Sequence, residues 1–315
     1  MPAGNKIAEQ TLEVKSMVNR LSSALDPVFM SQGLSFRKIS DDEGVEKPIK
    51  HSTVYLLLVA GENFNEMKHW FDDPKIDRAD VLYRIGEDLY KFGVIAQFNT
   101  IYDWKSKRGR PEIIRRIYSR TKATKYIPIP PDILLRFYGD EEEIRSHAEE
   151  LEYMSNLYTR NYSNHGLTID RGIIFFECQR DWEIYMTTYW LLSGRVRESV
   201  RIKTRRGTWY KKHKLFRDAL VETLKRGIEI KVIANITSDL IEEAEAFEAL
   251  GGHVKHMDEG SLGIDRLIIM DDDLAVYSHR ITRYNEPIGI YAGTIFVKAS
   301  EQINNLIKKF EYEFA

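Results

Sequence analysis

Between Trp104 and Lys125 stand nine basic residues (Lys105, Lys107, Arg108, Arg110, Arg115, Arg116, Arg120, Lys122 and Lys125) against one acidic residue, Glu112. A second run, Arg195 to Arg217, sets ten basic residues against Glu198. The whole chain carries a formal net charge of −2, so the rest of it is strongly acidic and the cations are gathered in two patches. Such patches can capture a polyanion, with phosphate oxygens as the acceptors. A solvated loop is the competing reading. Within the first run, Arg108-Gly109-Arg110-Pro111 matches the core of an AT-hook, in which an extended Arg-Gly-Arg lies along the narrow A·T minor groove. The second run holds Trp209 and Tyr210, aromatics suited to stacking on bases. A second DNA contact ranks first for it, ahead of a mobile loop over a cleft and a docking site for another protein.

Other reactive types are sparse. His253-Val254-Lys255 is the only His-x-Lys, and His256 follows it; a metal site built on these histidines lacks identifiable further ligands. The lone cysteine, Cys178, lies in the apolar run IIFFECQ and reads as an inert core thiol, which leaves no internal disulfide and no thiolate cluster. No metal and no cofactor are expected. With 315 residues, 43% apolar and 30% charged, two globular domains fit the length. No apolar run nears the roughly 20 residues of a membrane helix, and a signal-peptide pattern is lacking. A cytoplasmic, nucleoid-associated protein is the expectation.

The elements around the first basic run must position it. Asp77 suits an N-cap, and Val81, Leu82, Ile85 and Leu89 share one helical face, leaving Arg78, Arg84 and Lys91 to point elsewhere. Gly93 ends that helix, and Val94 to Phe98 suits a strand. The basic turn follows, then an extended run to Pro131. Helix, strand, basic loop, strand is the order of a winged helix-turn-helix, with residues 51–60 as a buried helix and 65–71 as the helix before the reader. Arg78 and Arg84 are the candidates to meet base edges, with Asp80 or Asp88 facing solvent or pairing with them. Lys105, Lys107, Arg108, Gly109, Arg110, Arg115 and Arg116 are the candidates for phosphate or minor-groove contact. The competing reading packs the helix against a partner domain.

ADVLYRIGEDLYKFGVI, then GRP, then KYIPIPPDILL resembles the DNA-binding half of the archaeal TrmB-type transcriptional regulators. Tyr83, Leu89, Gly93, Gly109, Arg110, Pro111, Tyr126, Pro130 and Pro131 stand at matching places. The departures are an insertion before Gly109, a longer gap before Tyr126, and Phe92 where Lys is usual.

The remaining chain gives three further elements. Ile7, Thr11, Val14, Val18, Leu21, Leu25 and Val28 form a heptad seam from near Asn5, and Pro27 is expected to break or restart the helix, which Gly33 closes. This seam suits folding onto its own domain and an intersubunit coiled coil equally. An acidic helix from Gly139-Asp140 carries Ile144, Ala148, Leu151 and Tyr158 on a partial seam interrupted by Ser155. Beyond about Thr168, GIIFFECQ, EIYMTTYWLL, IEIKVIANI, HVKHM, RLIIMDDDLAVYS and IGIYAGTIFVKA read as strands. Between them KLFRDALVETLKRG, DLIEEAEAFEALGG (capped by Ser238 or Asp239) and SEQINNLIKKFEYEF (capped by Ser300) read as helices, so a mixed sheet covered by helices is expected.

LKRGIEIKVI and DRLIIMDDDLAVYS are similar to the phospholipase D-like fold, which TrmB-type regulators also carry. That resemblance implies His-x-Lys-(four residues)-Asp followed by Gly-Ser and Asn in active members. Here those places hold Ile264, Arg266 and Asp271, then Ser278, His279 and Ile281; isoleucine cannot attack phosphorus, so no catalytic residue is expected. For His253-Val254-Lys255 the required Asp falls on Gly260, with Asp258 out of register. Arg266, Asp271, Ser278 and His279 would line a cleft suited to a sugar or small anion, though Arg266 and Asp271 also read as a structural ion pair.

The expected architecture is α/β. It comprises an N-terminal helix (1–40), a winged helix DNA-binding domain (45–138), a linker helix (139–165) and a phospholipase D-like domain (166–315). The expected function is a homodimeric regulator that binds double-stranded DNA and senses an effector, with no membrane association. A nuclease or phosphodiesterase using His253 and Lys255 is one rival. A non-specific architectural chromatin protein is the other.

Overall fold

The computed structural model describes residues 3–34, 36–40, 46–62, 67–71, 79–102, 125–139, 141–162, 172–206, 210, 213–262, 265–283 and 286–315. The chain divides into two units: 1–96 with 125–167, and 97–124 with 168–315. Asp77, Arg78 and the run from Lys105 to Arg116 fall outside the described residues.

The first unit is built on helix α1 (Ala3–Ser31). Its seam is buried at Val18, Leu21, Leu25 and Val28, so this half of the heptad packs into its own unit. Pro27 lies inside α1 and does not break it. An interior proline costs about 3 kcal/mol, whereas burial of Leu25, Val28 and Phe29 stabilises by about 1.5–3 kcal/mol each. The helix ends at Gly33, whose φ of +75° suits glycine; its N–H donates to the Met30 carbonyl and that of Leu34 to Phe29.

A hairpin of β1 (Phe36–Ser40) and β2 (Glu46–Lys50) leads into α2 (His51–Val59), buried from Val54 to Val59. The phenol of Tyr55 is buried with them and donates to the Ile129 carbonyl at 2.6 Å, which ties α2 to the chain returning after β4 (Lys125–Pro128). Phe29 packs at 5.6 Å from Tyr55 and 5.7 Å from Phe92. A single 3-10 turn, Met67–Trp70, stands where a helix over 65–71 was expected; residues 65 and 66 are not described. Then come α3 (Ala79–Phe92), closed by Gly93 at φ +84°, and β3 (Ile95–Tyr102). Helices α4 (Pro131–Tyr138), α5 (Glu141–Ser146) and α6 (Ala148–Tyr162) complete the unit. The acidic helix is therefore two helices, and Leu151, Met154 and Tyr158 of α6 face the unit's own core.

In the second unit the sheet runs β3–β5–β11–β10–β9–β6–β7–β8. The further strands are β5 (Gly172–Gln179), β6 (Ser199–Arg206), β7 (Glu229–Asn235), β8 (His253–His256), β9 (Asp265–Met270), β10 (Leu274–Arg283) and β11 (Glu286–Val297). Pairing is antiparallel from β3 to β6 and parallel from β6 to β8, so the sheet is mixed. RLIIMDDDLAVYS, read as one strand, is two strands joined by a turn at 271–273. EIYMTTYWLL, also read as a strand, belongs to helix α7 (Arg180–Leu192). Its aromatic and β-branched content misleads because the helix is buried nearly all round and shows no polar face. The Thr187 and Thr188 hydroxyls donate back to the Glu183 and Ile184 carbonyls at 2.7 and 2.8 Å, so neither is left unpaired in the core.

Helix α8 (Lys214–Lys225) follows β6, α9 (Ile241–Ala249) follows β7, and α10 (Glu259–Leu262) follows β8. C-terminal α11 (Ser300–Phe314) lays Ile303 and Phe310 on the sheet face formed by Ile233, Leu267, Ile269 and Ala275. The N-cap positions of α9 and α11 are Leu240 and Ala299, without side-chain caps, not the Ser238, Asp239 or Ser300 expected. Among the described residues no helix is long and apolar enough to cross a membrane.

Tyr55→Phe leaves the Ile129 carbonyl without its donor inside the core. It is expected to lower the unfolding free energy by about 1–2 kcal/mol, read from urea denaturation of the full chain.

Candidate functional site

Two sets of side chains in the described residues stand out, one in each unit. In the first unit α3 is amphipathic: Leu82, Ile85 and Leu89 are fully buried, while Tyr83, Arg84, Glu87 and Lys91 are exposed. Residues four apart on a helix share a face, so Tyr83, Glu87 and Lys91 line up, with Arg84 beside them. Tyr126 of β4 is half-buried next to this surface; its burial, then the charges of Tyr83 and Glu87, push its hydroxyl pKa up. The helix leads through Gly93 into β3, after which the basic run begins.

Among the described residues Asp88 pairs with Arg37 and His51 and not with Arg84. Its Oδ2 accepts from Arg37 Nε and Nη2 at 2.9 and 2.6 Å, and lies 3.1 Å from His51 Nε2. Arg37 sits on β1 and His51 opens α2, so one carboxylate pins α3 to both. Burial raises the Asp88 pKa, but hydrogen bonds from His51 and Arg37 outweigh it and hold the carboxyl below its ordinary value. Neither Arg37 nor His51 was singled out in the sequence, because what joins them is Asp88, 51 and 37 residues away along the chain.

In the second unit Ser278 of β10 stands directly across from Arg266 of β9. Both side chains converge on Glu183 in the first turn of α7. Arg266 Nη1 donates to Glu183 Oε2 at 2.8 Å, and Ser278 Oγ donates to Oε1 at 2.5 Å. The Glu183 side chain is only 3% exposed. The Arg266 guanidinium lies over the Tyr291 ring, 4.6 Å from its centroid. Burial works against the charge of Arg266, yet the Glu183 carboxylate overrides this and holds its pKa above the ordinary value. Cys178 is buried in the same interior, and burial followed by the Glu183 charge pushes its thiol pKa well up, as befits an inert thiol. At Gly293, across from Ser278 and Phe176, a β-carbon would meet the Phe176 ring at 2.8 Å, so only glycine allows this packing.

Of the expected cleft residues, then, Arg266 and Ser278 come together, while Asp271 and His279 do not join them. Asp271 sits in the turn after β9 at φ +52°, and its carboxylate accepts the backbone N–H groups of Arg197, Glu198 and Ser199 at 2.8–3.0 Å. It forms no ion pair with Arg266. His279 is exposed, one residue out of phase with buried Ser278. Glu183 was missed because its segment was read as a strand.

Two cations of the second basic run, Arg201 and Lys203, are engaged within their own unit. Arg201 and Lys231 bind Glu311 of α11 at 2.6 and 2.9 Å, and Lys203 binds Glu313 at 2.7 Å. A DNA contact through Arg201 or Lys203 is thereby replaced by an internal ladder of charges; Trp209 lies outside the described residues, and Tyr210 packs edge-on against Phe247. His253 is exposed on β8, and His256 Nδ1 accepts the Ile236 N–H at 3.1 Å. Among the described residues no group of three or more His, Cys, Asp or Glu is placed to hold a metal ion.

No family model matches the chain, and no curated protein matches it. Some solved structures share a partial likeness. TrmBL2, an archaeal chromatin protein with a novel mode of DNA binding, is 14% identical over 84% of this chain and 90% of its own, at a TM-score of 0.33. Nuc of Salmonella typhimurium, a phospholipase D family member, is 14% identical over 39% of this chain and 83% of its own, at 0.30. NucT from Helicobacter pylori is 15% identical over 44% and 94%, at 0.33. At TM-scores this low the likeness says nothing of what this chain does.

Asp271→Ala removes the acceptor for three N–H groups and places alanine at a positive φ. It is expected to cost about 1–3 kcal/mol, and Asp271→Asn less because asparagine tolerates that conformation; thermal melts would rank the two. For Asp88, a depressed folded pKa means its stabilisation is present above the unfolded value of about 3.9 and is lost as pH falls through the lower folded value. Asp88→Asn should therefore lower stability near neutrality and flatten the loss below about pH 4, read from acid titration by circular dichroism.

Proposed function

We propose that the chain is a DNA-binding transcriptional regulator. Residues 45–138 read duplex DNA, and residues 166–315 form a non-catalytic, phospholipase D-like body that senses a small molecule or partner. The observation that carries this reading is α3. It buries Leu82, Ile85 and Leu89, presents Tyr83, Arg84 and Lys91 outward, and leads directly into the strand before the basic run 104–125. A winged helix over 45–138 would set α3 in the major groove, with the Arg108-Gly109-Arg110 turn against phosphate or the minor groove. A linker over 139–165 and a homodimer would place two such readers on two half-sites. An effector would act by favouring one spacing of the readers.

The placement of His253 supports a non-catalytic second unit. β8 and β9 are separated in the sheet by β6 and β7, so His253 lies about three strand spacings, roughly 14 Å, from the Arg266 and Ser278 pair. A nuclease using both would need them within reach of one phosphoryl group.

The test is selection of full-length protein on random duplexes at two salt concentrations, with the bound fraction sequenced. An enriched palindrome, weakened in Arg78→Ala/Arg84→Ala, is expected. Its affinity should exceed that for random DNA by on the order of a thousandfold. Binding without enrichment, lost in Arg108→Ala/Arg110→Ala, would replace this reading with an architectural protein. No binding to any duplex would refute it.

A further inference from the structure

We propose that Arg266 and Ser278 form an oxyanion site whose resident anion is the carboxylate of Glu183, so that the resting chain is closed to free phosphate. The register puts the two donors side by side on adjacent antiparallel strands, aimed at one point. Each oxygen of Glu183 takes one of them, Oε2 from the guanidinium and Oε1 from the hydroxyl, as two oxygens of a bound oxyanion would. The guanidinium is also supported from elsewhere, because Tyr291 lies beneath its plane. It is therefore held in place partly by a residue other than Glu183, as a preorganised binding group requires.

The surroundings argue against a purely stabilising ion pair. Trp182, Ile184, Ile202 and Ile268 around it are buried and apolar. In such an interior a buried ion pair is commonly no better than apolar side chains of similar volume, because desolvation offsets the attraction. Here a guanidinium, a carboxylate and a hydroxyl are retained together among apolar side chains, with Glu183 3% and Arg266 13% exposed. The cluster also borders a cavity of ≈ 30 Å³ walled by Glu183, Thr187, Thr204 and Arg266 among others. That volume holds about one water, not a sugar. Only when the carboxymethyl group of Glu183 is removed does the space grow toward that of a tetrahedral oxyanion. Glu183 comes from the first turn of α7 while its two donors belong to the sheet, so the plug and the site sit on different elements.

The experiment is thermal unfolding of the full chain as wild type, Glu183→Ala, Glu183→Gln and Glu183→Ala/Arg266→Met. Each is titrated with inorganic phosphate, with sodium chloride at matched ionic strength as the reference. Wild type is expected to show no phosphate-specific shift. Glu183→Ala should melt lower and then recover with phosphate, its midpoint rising with the logarithm of concentration as a ligand binding the folded state demands. Adding Arg266→Met should abolish the recovery. Glu183→Gln keeps the space filled and should show no recovery with phosphate, so a shift in it equal to that of the alanine variant overturns the proposal. An equal phosphate shift in wild type overturns the proposal, as does a shift that survives Arg266→Met. So does the lack of any shift beyond salt in Glu183→Ala, or its failure to fold even when phosphate is present throughout refolding. Recovery with acetate but not phosphate also overturns it, since the site would then fit only a carboxylate.

Discussion

Asp271 holds the place where two kinds of strand pairing meet. On one side β9, β10 and β11 run antiparallel; on the other β6 begins the parallel strands. The turn after β9 needs a left-handed residue, and Asp271 takes that conformation while its carboxylate gathers the N–H groups at the start of β6. Its own N–H donates to the Ser199 carbonyl at 2.8 Å, closing the junction from the other side. With that junction set, Arg266 and Ser278 fall opposite one another and Ile269 and Leu267 face α11. A one-residue slip would exchange the two faces and carry Arg266 to the opposite side of the sheet.

Strand β5 was legible because period-two burial leaves its mark in composition, with Phe176 and Cys178 buried between the less buried Phe175, Glu177 and Gln179, and β7 because Ile230, Val232, Ile233 and Ala234 make its run mostly apolar. Helices α3, α8 and α11 were legible from apolar spacing of three and four. What failed had a physical cause in each case. Helix α7 has no polar face, so period could not separate it from a strand, and with it went Glu183. Pro27 was read as a breaker because a local rule was applied where tertiary burial decides. Arg266 and Asp271 were read as partners, in a ligand cleft or in an ion pair, yet Arg266 stands near the start of β9 and Asp271 in the turn after its end, and they serve different partners. For Arg201 and Lys203 the sequence shows charge but not its neutralisation by Glu311 and Glu313, more than a hundred residues away.

The two units use carboxylates in the same manner, half-buried at Asp88 and buried at Glu183. Asp88 joins α3 to β1 and α2, and Glu183 joins α7 to β9 and β10. In both, a short acidic side chain on a helix receives donors from two other elements. The apolar contacts around it bring those helices to the right depth, whereas the directional bonds fix their rotation about their own axes. For α3 this rotation decides which side chains face outward.

The charges between the sheet and α11 have a different significance when heat is considered. Arg201, Lys203 and Lys231 are joined to Glu311 and Glu313, and the Lys231 ammonium also lies 5.6 Å from the Phe314 ring centroid. Burial raises the Glu311 pKa, but hydrogen bonds from Arg201 and Lys231 outweigh it and hold the carboxyl below its ordinary value. Hydration of charged groups weakens as temperature rises, so the desolvation penalty of such a network shrinks while hydrophobic stabilisation per unit area levels off. The C-terminal helix is thus fastened by an apolar strip and by a charged ladder with opposite thermal trends. As the strip levels off on warming, the ladder contributes a growing share of what keeps α11 on the sheet.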